Sequence, residues 1–270
     1  GLYKTVSKIK MKKVTVTAQM IVANEDQFLG FAISSVLPFV DQLIIFDTGS
    51  TDKTVEIIKS FSSPKIIFEE KGPANPQQLV TLRNEQIKRT KTDFFMLLDG
   101  DEIWPENNLM KFLQSLDTMP QDKIAVYCRT RNAVGDIYHY LPENAGKYQF
   151  EGKTGHFTMR AFRNIPGLKV DGTYPLETYK YNGNSLNDWN EKLFFVDTWY
   201  LHATHLQRSS SPQKIFGFRA RKIETGILFS SSEIPEVFLE NLPLKRSLFY
   251  ELVAKIITPF KEIKRKYAKV

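Results

Sequence analysis

The sequence predicts an α/β protein, a mainly parallel sheet flanked by helices with a helical tail at its C-terminal end. Three observations carry this. Strand-length apolar runs alternate with helix-length stretches four times in about the first 115 residues, the pattern of successive β-α units. Polar and acidic residues gather just after the apolar runs, at Asn24, Asp47, Asp52 and Asp99–Glu102. Past the serine-rich Ser230-Ser-Ser-Glu-Ile-Pro235, the chain turns basic and amphipathic.

Each element has a local reason. Val14, Val16, Ala18, Met20 and Val22 alternate with Lys13, Thr15, Thr17 and Gln19, a period of two that predicts a strand. A helix is expected from about Gln27 to Val36, stopping before Pro38. Leu43–Phe46 is a short apolar strand. In the loop Asp47-Thr-Gly-Ser-Thr-Asp52, Ser50 or Thr51 can cap a helix reaching about Phe61. Lys65–Phe68 is a third strand, a helix holding Arg83 and Asn84 runs to about Arg89, and Phe94–Leu98 is a fourth strand. Pro105 opens the next helix at a position that favours proline. Shorter strands are expected near Ile124–Arg129, His156–Phe162 and Lys192–Tyr200. The divisions that follow are a basic extension over 1–13, a domain over 14–230 with halves at 14–115 and 116–230, and a tail over 231–270.

Composition narrows the class. With 42% hydrophobic and 25% charged residues in 270, a packed core is expected. The single cysteine, Cys128, excludes an intrachain disulfide and suits the cytosol. No apolar run of about 18 residues is present, so no spanning helix is expected. The net charge of +7 is uneven: residues 245–270 carry +6, residues 1–13 carry +5, and the body between them carries −4. A nucleic-acid-binding domain carries its basic stripe across the body, so no nucleic-acid partner is expected. Basic ends suit an anionic membrane surface. In the tail, Leu248, Phe249, Leu252, Val253, Ile256, Ile257, Phe260, Ile263 and Tyr267 recur at helical spacing, with Pro259 expected to kink or split the helix. Such a helix either lies in a membrane interface or packs on the body. The expected location is cytoplasmic, with peripheral attachment to the cytosolic face of a membrane.

In parallel sheets ligands bind at the carboxyl ends of the strands, so the loops there carry the functional weight. Asp99 and Asp101, one residue apart at the end of an apolar strand, can reach one divalent cation together, and hard oxygen ligands suit Mg²⁺ or Mn²⁺. Such an ion would bridge the two phosphates of a nucleoside diphosphate. The alternative is a solvated acidic turn. Asp47 can accept a nucleobase N–H or cap its own turn. Asp52 suits the cap or first turn of the following helix. Arg83 can reach a phosphate or base edge, or pair with a surface acid.

Met20-Ile-Val-Ala-Asn-Glu25, Leu43-Ile-Ile-Phe-Asp-Thr-Gly-Ser-Thr-Asp52, Arg83-Asn84 and Met96-Leu-Leu-Asp-Gly-Asp-Glu102 resemble, in order and spacing, the nucleotide-binding half of family 2 glycosyltransferases. The resemblance is strong over about 13–115 and weak over about 155–220. It implies a GT-A (Rossmann-like) fold, a nucleotide-diphosphate sugar donor with UDP favoured, a bound Mn²⁺ or Mg²⁺, and inversion at the anomeric carbon. Membrane attachment through the tail would point to a cell-envelope glycan or a lipid-linked acceptor. By position, Ala23, Asn24, Glu25, Asp47 and Thr48 would hold base and ribose. Asp99 and Gly100 would contact ribose or diphosphate, Asp101 would be the principal metal ligand, and Arg83 would lie near the nucleotide. An attacking hydroxyl needs a base. Val170-Asp-Gly-Thr-Tyr-Pro-Leu-Glu177 resembles the segment that supplies it, with Leu176 where similar sequences carry histidine. Glu177 is the expected base and Asp171 the reserve. Arg160 and Arg163 have odd spacing, so in a regular strand at most one faces the site. Of His202 and His205, His205 is the expected metal or diphosphate contact. The competing functions are a sugar nucleotidyltransferase and a non-catalytic, membrane-associated module of the same fold. The first expects a glycine-rich basic loop after the first strand, where this chain has the acidic, glycine-free Val22-Ala-Asn-Glu-Asp26.

Overall fold

A computed structural model describes residues 14–146, 148–150, 152–206, 223–239 and 245–267. The basic extension expected over 1–13 lies outside the described residues. The first half alternates as predicted: β1 (Val16–Val22), α1 (Leu29–Val36), β2 (Gln42–Asp47), α2 (Thr54–Ser60), β3 (Ile66–Glu70), α3 (Pro76–Arg89) and β4 (Phe94–Leu97). A two-residue strand, β5 (Glu102–Ile103), precedes α4 (Glu106–Thr118), for which Pro105 is the N-cap. The second half holds β6 (Ala125–Val134), β7 (Asp136–Tyr140), β8 (Tyr148–Phe150), β9 (Lys153–Gly155), β10 (Phe157–Arg163), β11 (Leu168–Asp171), β12 (Thr178–Tyr181), β13 (Asn184–Ser185), β14 (Leu193–His202) and β15 (Ile227–Leu228). The chain closes with α5 (Leu248–Tyr267).

A ten-stranded sheet runs β15-β7-β6-β10-β4-β1-β2-β3, with β14 beside β6 and β5. Every ladder among β1 to β4 is parallel, as the alternation predicts. The second half extends the sheet with β10 antiparallel to β4 and to β6, and β14 parallel to β6. Leu29, Ile33, Ile58, Leu109, Phe112 and Leu116 of α1, α2 and α4 cover one face with Val16, Ala18, Met20, Leu43, Ile45 and Met96. Val80 of α3 packs on the other face with Phe95, Leu97, Phe162 and Tyr179.

Period-two alternation in β1 is present, but its polar face is not solvated. Thr17 and Gln19 are fully buried. Gln19 Nε2 donates to Thr90 Oγ1 at 2.8 Å, and Gln86 Nε2 of α3 donates to the Met20 carbonyl at 2.7 Å. The two amide nitrogens are thus satisfied beneath α3, while Gln19 Oε1 and Gln86 Oε1 are buried with no hydrogen-bond partner among the described residues.

α3 begins with a capping box: Asn75 Oδ1 accepts from Gln78 N–H at 2.9 Å while Gln78 Oε1 accepts from Asn75 N–H at 2.8 Å. At the start of α2, Asp52 takes the role expected of it: its Oδ1 accepts from Thr54 N–H at 2.9 Å, while Ser50 Oγ is instead engaged by Asp47 and by Asn24 N–H. Phe229 and Phe238, on either side of the boundary expected near residue 230, share a core cluster with Phe28, Ile103 and Leu201. α5 runs unbroken through Pro259 rather than splitting there. Among the described residues no helix is long and apolar enough to cross a membrane.

Candidate active site

A cleft of about 580 Å³ opens at the carboxyl ends of β1, β2 and β4. Ala23, Glu25, Thr48, Arg83, Asp99, Gly100, Asp101 and Glu177 all line it, so the structure brings together most of the expected site residues. Asn24, Asp47, Asp171 and His205 are not among its lining residues.

The first two loops are laced to each other. Asn24, held at a positive φ of 55°, donates its N–H to Ser50 Oγ at 2.9 Å and accepts from Thr51 N–H at 2.8 Å. Glu25 N–H reaches Thr54 Oγ1 at 2.8 Å. Asp47 Oδ2 accepts from Gly49 and Ser50 N–H at 3.0 and 3.1 Å, and Oδ1 takes the Ser50 hydroxyl. Asp47 therefore shapes its own turn, and Thr48 presents that loop to the cleft.

The acidic loop is held from both sides. Asp99 N–H donates to Glu102 Oε2 at 3.1 Å, and Ala203 N–H donates to the Asp101 carbonyl at 2.8 Å. The pairing of β5 with β14 sets His202 opposite Glu102 and brings His202 Nε2 within 3.2 Å of Asp101 Oδ2. Burial pulls the His202 imidazole down, and the Asp101 carboxylate outweighs it, so the net shift is upward. His205 lies beyond the end of β14 and lines a second cavity with His156, Glu224 and Arg265. His202, not His205, is thus the histidine at the acidic pair, because β14 keeps its register with β5 only as far as residue 202. Gly100 is tightly surrounded: a Cβ there would sit 3.2 Å from Val22 Cγ2 and from Glu25 Cβ, so these side chains would have to shift slightly.

Two arginines face the acids. Arg83 Nη2 lies 3.4 Å from Asp99 Oδ1, and its Nη1 is buried with no hydrogen-bond partner among the described residues. Arg160 interrupts the β10–β6 register between Met159 and Ala161, and this bulge re-aims it. It pairs with the buried Glu102, donates Nε–H to Tyr200 Oη at 2.8 Å, and lies 3.5 Å from Asp99 Oδ2. Burial pushes the Glu102 carboxyl up to about 7, while the Arg160 charge works against that shift. Arg163 instead binds the Lys123, Met119 and Pro120 carbonyls, a structural role. Arg160 thus lines the cleft and Arg163 does not, although the bulge departs from the regular strand on which that split is expected. The Arg160–Glu102 pair itself was not foreseen, and no local signal in the sequence marks a bulge.

The far wall comes from the small sheet of β11, β12 and β13. Asn84 of α3 fixes it: Oδ1 accepts from Val170 N–H at 2.9 Å and Nδ2 donates to the Val170 carbonyl at 2.8 Å. This places the 171–177 loop over the cleft. Glu177 Oε2 and Tyr179 Oη are buried and have no hydrogen-bond partner among the described residues. Asp171 points elsewhere: it accepts from Lys180 Nζ at 2.9 Å and Gly172 N–H at 2.8 Å, and the Lys180 ammonium holds its carboxyl below the usual range. No set of three or more His, Cys, Asp or Glu among the described residues forms a ready-made metal centre.

The family model for glycosyl transferase family 2 matches residues 17–172, more than half of the chain, from the second residue of β1 through β11 and including the whole acidic loop. The chain belongs to glycosyl transferase family 2. The α/β architecture above is the GT-A arrangement of that family. Among family relatives, the glycosyltransferase SunS encoded by the SPbeta prophage of Bacillus subtilis is 26% identical over 161 residues, covering 56% of this chain and 36% of that protein. SunS of Bacillus phage SPbeta matches equally. The match thus spans about a third of the length of these curated relatives. Glucosyl-3-phosphoglycerate synthase from Mycobacterium tuberculosis, solved with Mn²⁺, UDP-glucose and phosphoglyceric acid, is 17% identical over 71% of this chain and 72% of that one, with a TM-score of 0.46. The mannosyltransferase PcManGT from Pyrobaculum calidifontis, solved with GDP-mannose and Mn²⁺, is 15% identical over 56% of this chain and 44% of that one, with a TM-score of 0.39.

Proposed function

We propose that this family 2 chain is a metal-dependent, inverting glycosyltransferase that moves a sugar from a nucleoside-diphosphate donor, UDP-sugars favoured, to a hydroxyl of a cell-envelope glycan or lipid-linked acceptor. The observation that best supports this is a set of unsatisfied buried atoms. Arg83 Nη1, Glu177 Oε2 and Tyr179 Oη surround the cleft that holds Asp99 and Asp101, and none has a hydrogen-bond partner among the described residues. Buried polar groups left unmade are costly, and a polar ligand would satisfy them.

The donor set suits the ion. Asp99 and Asp101 supply hard oxygens, and Mg²⁺ is commonly held by one or two carboxylates plus substrate phosphates. Asp101 would be the main ligand and Asp99 the second, with His202 supporting Asp101. When bound, the ion would offset the charge that builds on the departing diphosphate. Arg83 offers its unpartnered donor to phosphate oxygens, while Arg160 is already balanced by Glu102. Ala23, Glu25 and Thr48 form the base and ribose walls, and Asn24 and Asp47 act one step back by holding those loops in shape.

Glu177 takes the proton of the acceptor hydroxyl. The hydroxyl oxygen forms the new bond to the anomeric carbon on the face opposite the diphosphate, the bond to the diphosphate breaks, and configuration inverts. Asp171, already bound to a lysine outside the cleft, is a poor base.

The test separates binding from chemistry. Glu177→Gln should bind the nucleoside diphosphate with an unchanged dissociation constant and lose turnover of the UDP-sugar by about 10²–10⁴-fold. Wild-type turnover by this variant would remove Glu177 from the reaction.

A further inference from the structure

α5 carries two different apolar faces, and one of them meets nothing among the described residues. Tyr250, Ala254 and Thr258 are buried against the body, with Ile223, Val253 and Ile257 in the same cluster. This face is fastened by polar contacts. Thr225 N–H donates to Thr258 Oγ1 at 2.9 Å, Arg246 donates Nε–H to Glu251 at 2.7 Å and its backbone N–H to Asp136 Oδ2 of β7 at 3.1 Å, and Arg265 pairs with the buried Glu224. The body-packing expected of an amphipathic helix is thus present.

It leaves a second face uncovered. Leu248, Phe249, Leu252, Ile256, Phe260, Ile263 and Tyr267 are 56–89% exposed. At 3.6 residues per turn these seven fall within an arc of about 120° along a helix about 30 Å long. On the same wheel, Lys255 and Lys266 border one side of the arc and Lys264 the other, and all three are exposed. Glu262 is the one exposed acid of α5. Seven large apolar side chains in a row, edged by lysines, form an arrangement that water alone does not favour.

We propose that α5 is a fixed membrane-contact surface. The stripe from Leu248 to Tyr267 enters the interfacial layer of an anionic phospholipid bilayer, and the flanking lysines reach its headgroups. The charge argues for lipid. A surface edged by three lysines repels a second copy of itself and complements anionic headgroups. Because the opposite face is fastened to the 223–225 segment, and Tyr250 packs at Gly135 between β6 and β7, α5 seats the domain in one orientation. This rests on the packing of α5 and is independent of the transfer reaction.

Co-flotation with vesicles tests it. The whole chain should float with phosphatidylglycerol–phosphatidylcholine vesicles and stay behind with pure phosphatidylcholine. The variant Phe249→Ser/Phe260→Ser/Ile263→Ser keeps every lysine and touches none of the packed face. It should retain the wild-type melting temperature and lose at least about tenfold in vesicle affinity. Equal flotation by wild type and variant would overturn the proposal, because binding would then be lysine attraction alone. A wild-type dimer in light scattering that the same three substitutions dissociate would also overturn it, in favour of a second copy as the occupant.

Discussion

Arg160 and Glu102 form an ion pair inside the protein, immediately beside the acidic loop. Their side chains are 7% and 0% exposed, and the same guanidinium reaches within 3.5 Å of Asp99. Removing Arg160 leaves Glu102 buried without its counter-charge, which must then stay ionised at a cost or take up a proton. Arg160→Met should therefore cost about 3–5 kcal/mol of unfolding free energy, read by urea denaturation. The double variant Arg160→Met/Glu102→Leu should recover most of that loss. Equal losses in the single and double variants would show that the pair is not coupled.

Asn84 ties α3 to β11 through both backbone groups of Val170. Asn84→Ala should cost about 1–3 kcal/mol by leaving those groups unmade. It should also lower turnover more than nucleotide binding, since the loop carrying Glu177 follows β11. Denaturation and donor turnover, measured on the same preparation, check both.

Gly100 sits where the acidic loop crosses Val22 and Glu25. Gly100→Val would push those neighbours apart and intrude on the cleft. Such overpacking costs about 1–3 kcal/mol, and the Michaelis constant for the donor should rise by about tenfold. An unchanged Michaelis constant would place the nucleotide away from this loop.

The two histidines divide cleanly. His202→Ala should weaken Mn²⁺-dependent nucleotide binding by roughly 10–100-fold, the usual effect of losing a group that supports a metal ligand. His205→Ala, in the second cavity, should leave it unchanged. Isothermal titration with UDP and Mn²⁺ distinguishes them, and the opposite pattern would restore His205 to the site.

Much of this was legible because the signals were local. An apolar strand that stops at Asp99, and loops rich in Asn, Asp and Ser after two earlier strands, mark carboxyl ends from the sequence alone. What stayed hidden depended on distant partners. The polar face of β1 looks solvated until Gln86, 66 residues on, covers it. Arg160 enters the cleft through a bulge that only its pairing with β6 reveals. His202, rather than His205, stands beside Asp101 because of a two-residue strand at Glu102–Ile103, too short to show any periodicity. Asp47 reads equally well as a ligand or a turn residue until Gly49 and Ser50 are seen to take both of its oxygens.

The most direct measurement is a thermal-shift panel of UDP, GDP, dTDP and CDP, each with Mn²⁺, Mg²⁺ or EDTA, on wild type and on Asp101→Asn. At about a hundred times its dissociation constant, a ligand adds about 2.7 kcal/mol of stability. The expected result is a rise in melting temperature with UDP and Mn²⁺ that disappears in EDTA and in Asp101→Asn. No shift with any nucleoside diphosphate, or a UDP shift that EDTA and Asp101→Asn leave intact, would contradict a metal-dependent donor site at Asp99 and Asp101.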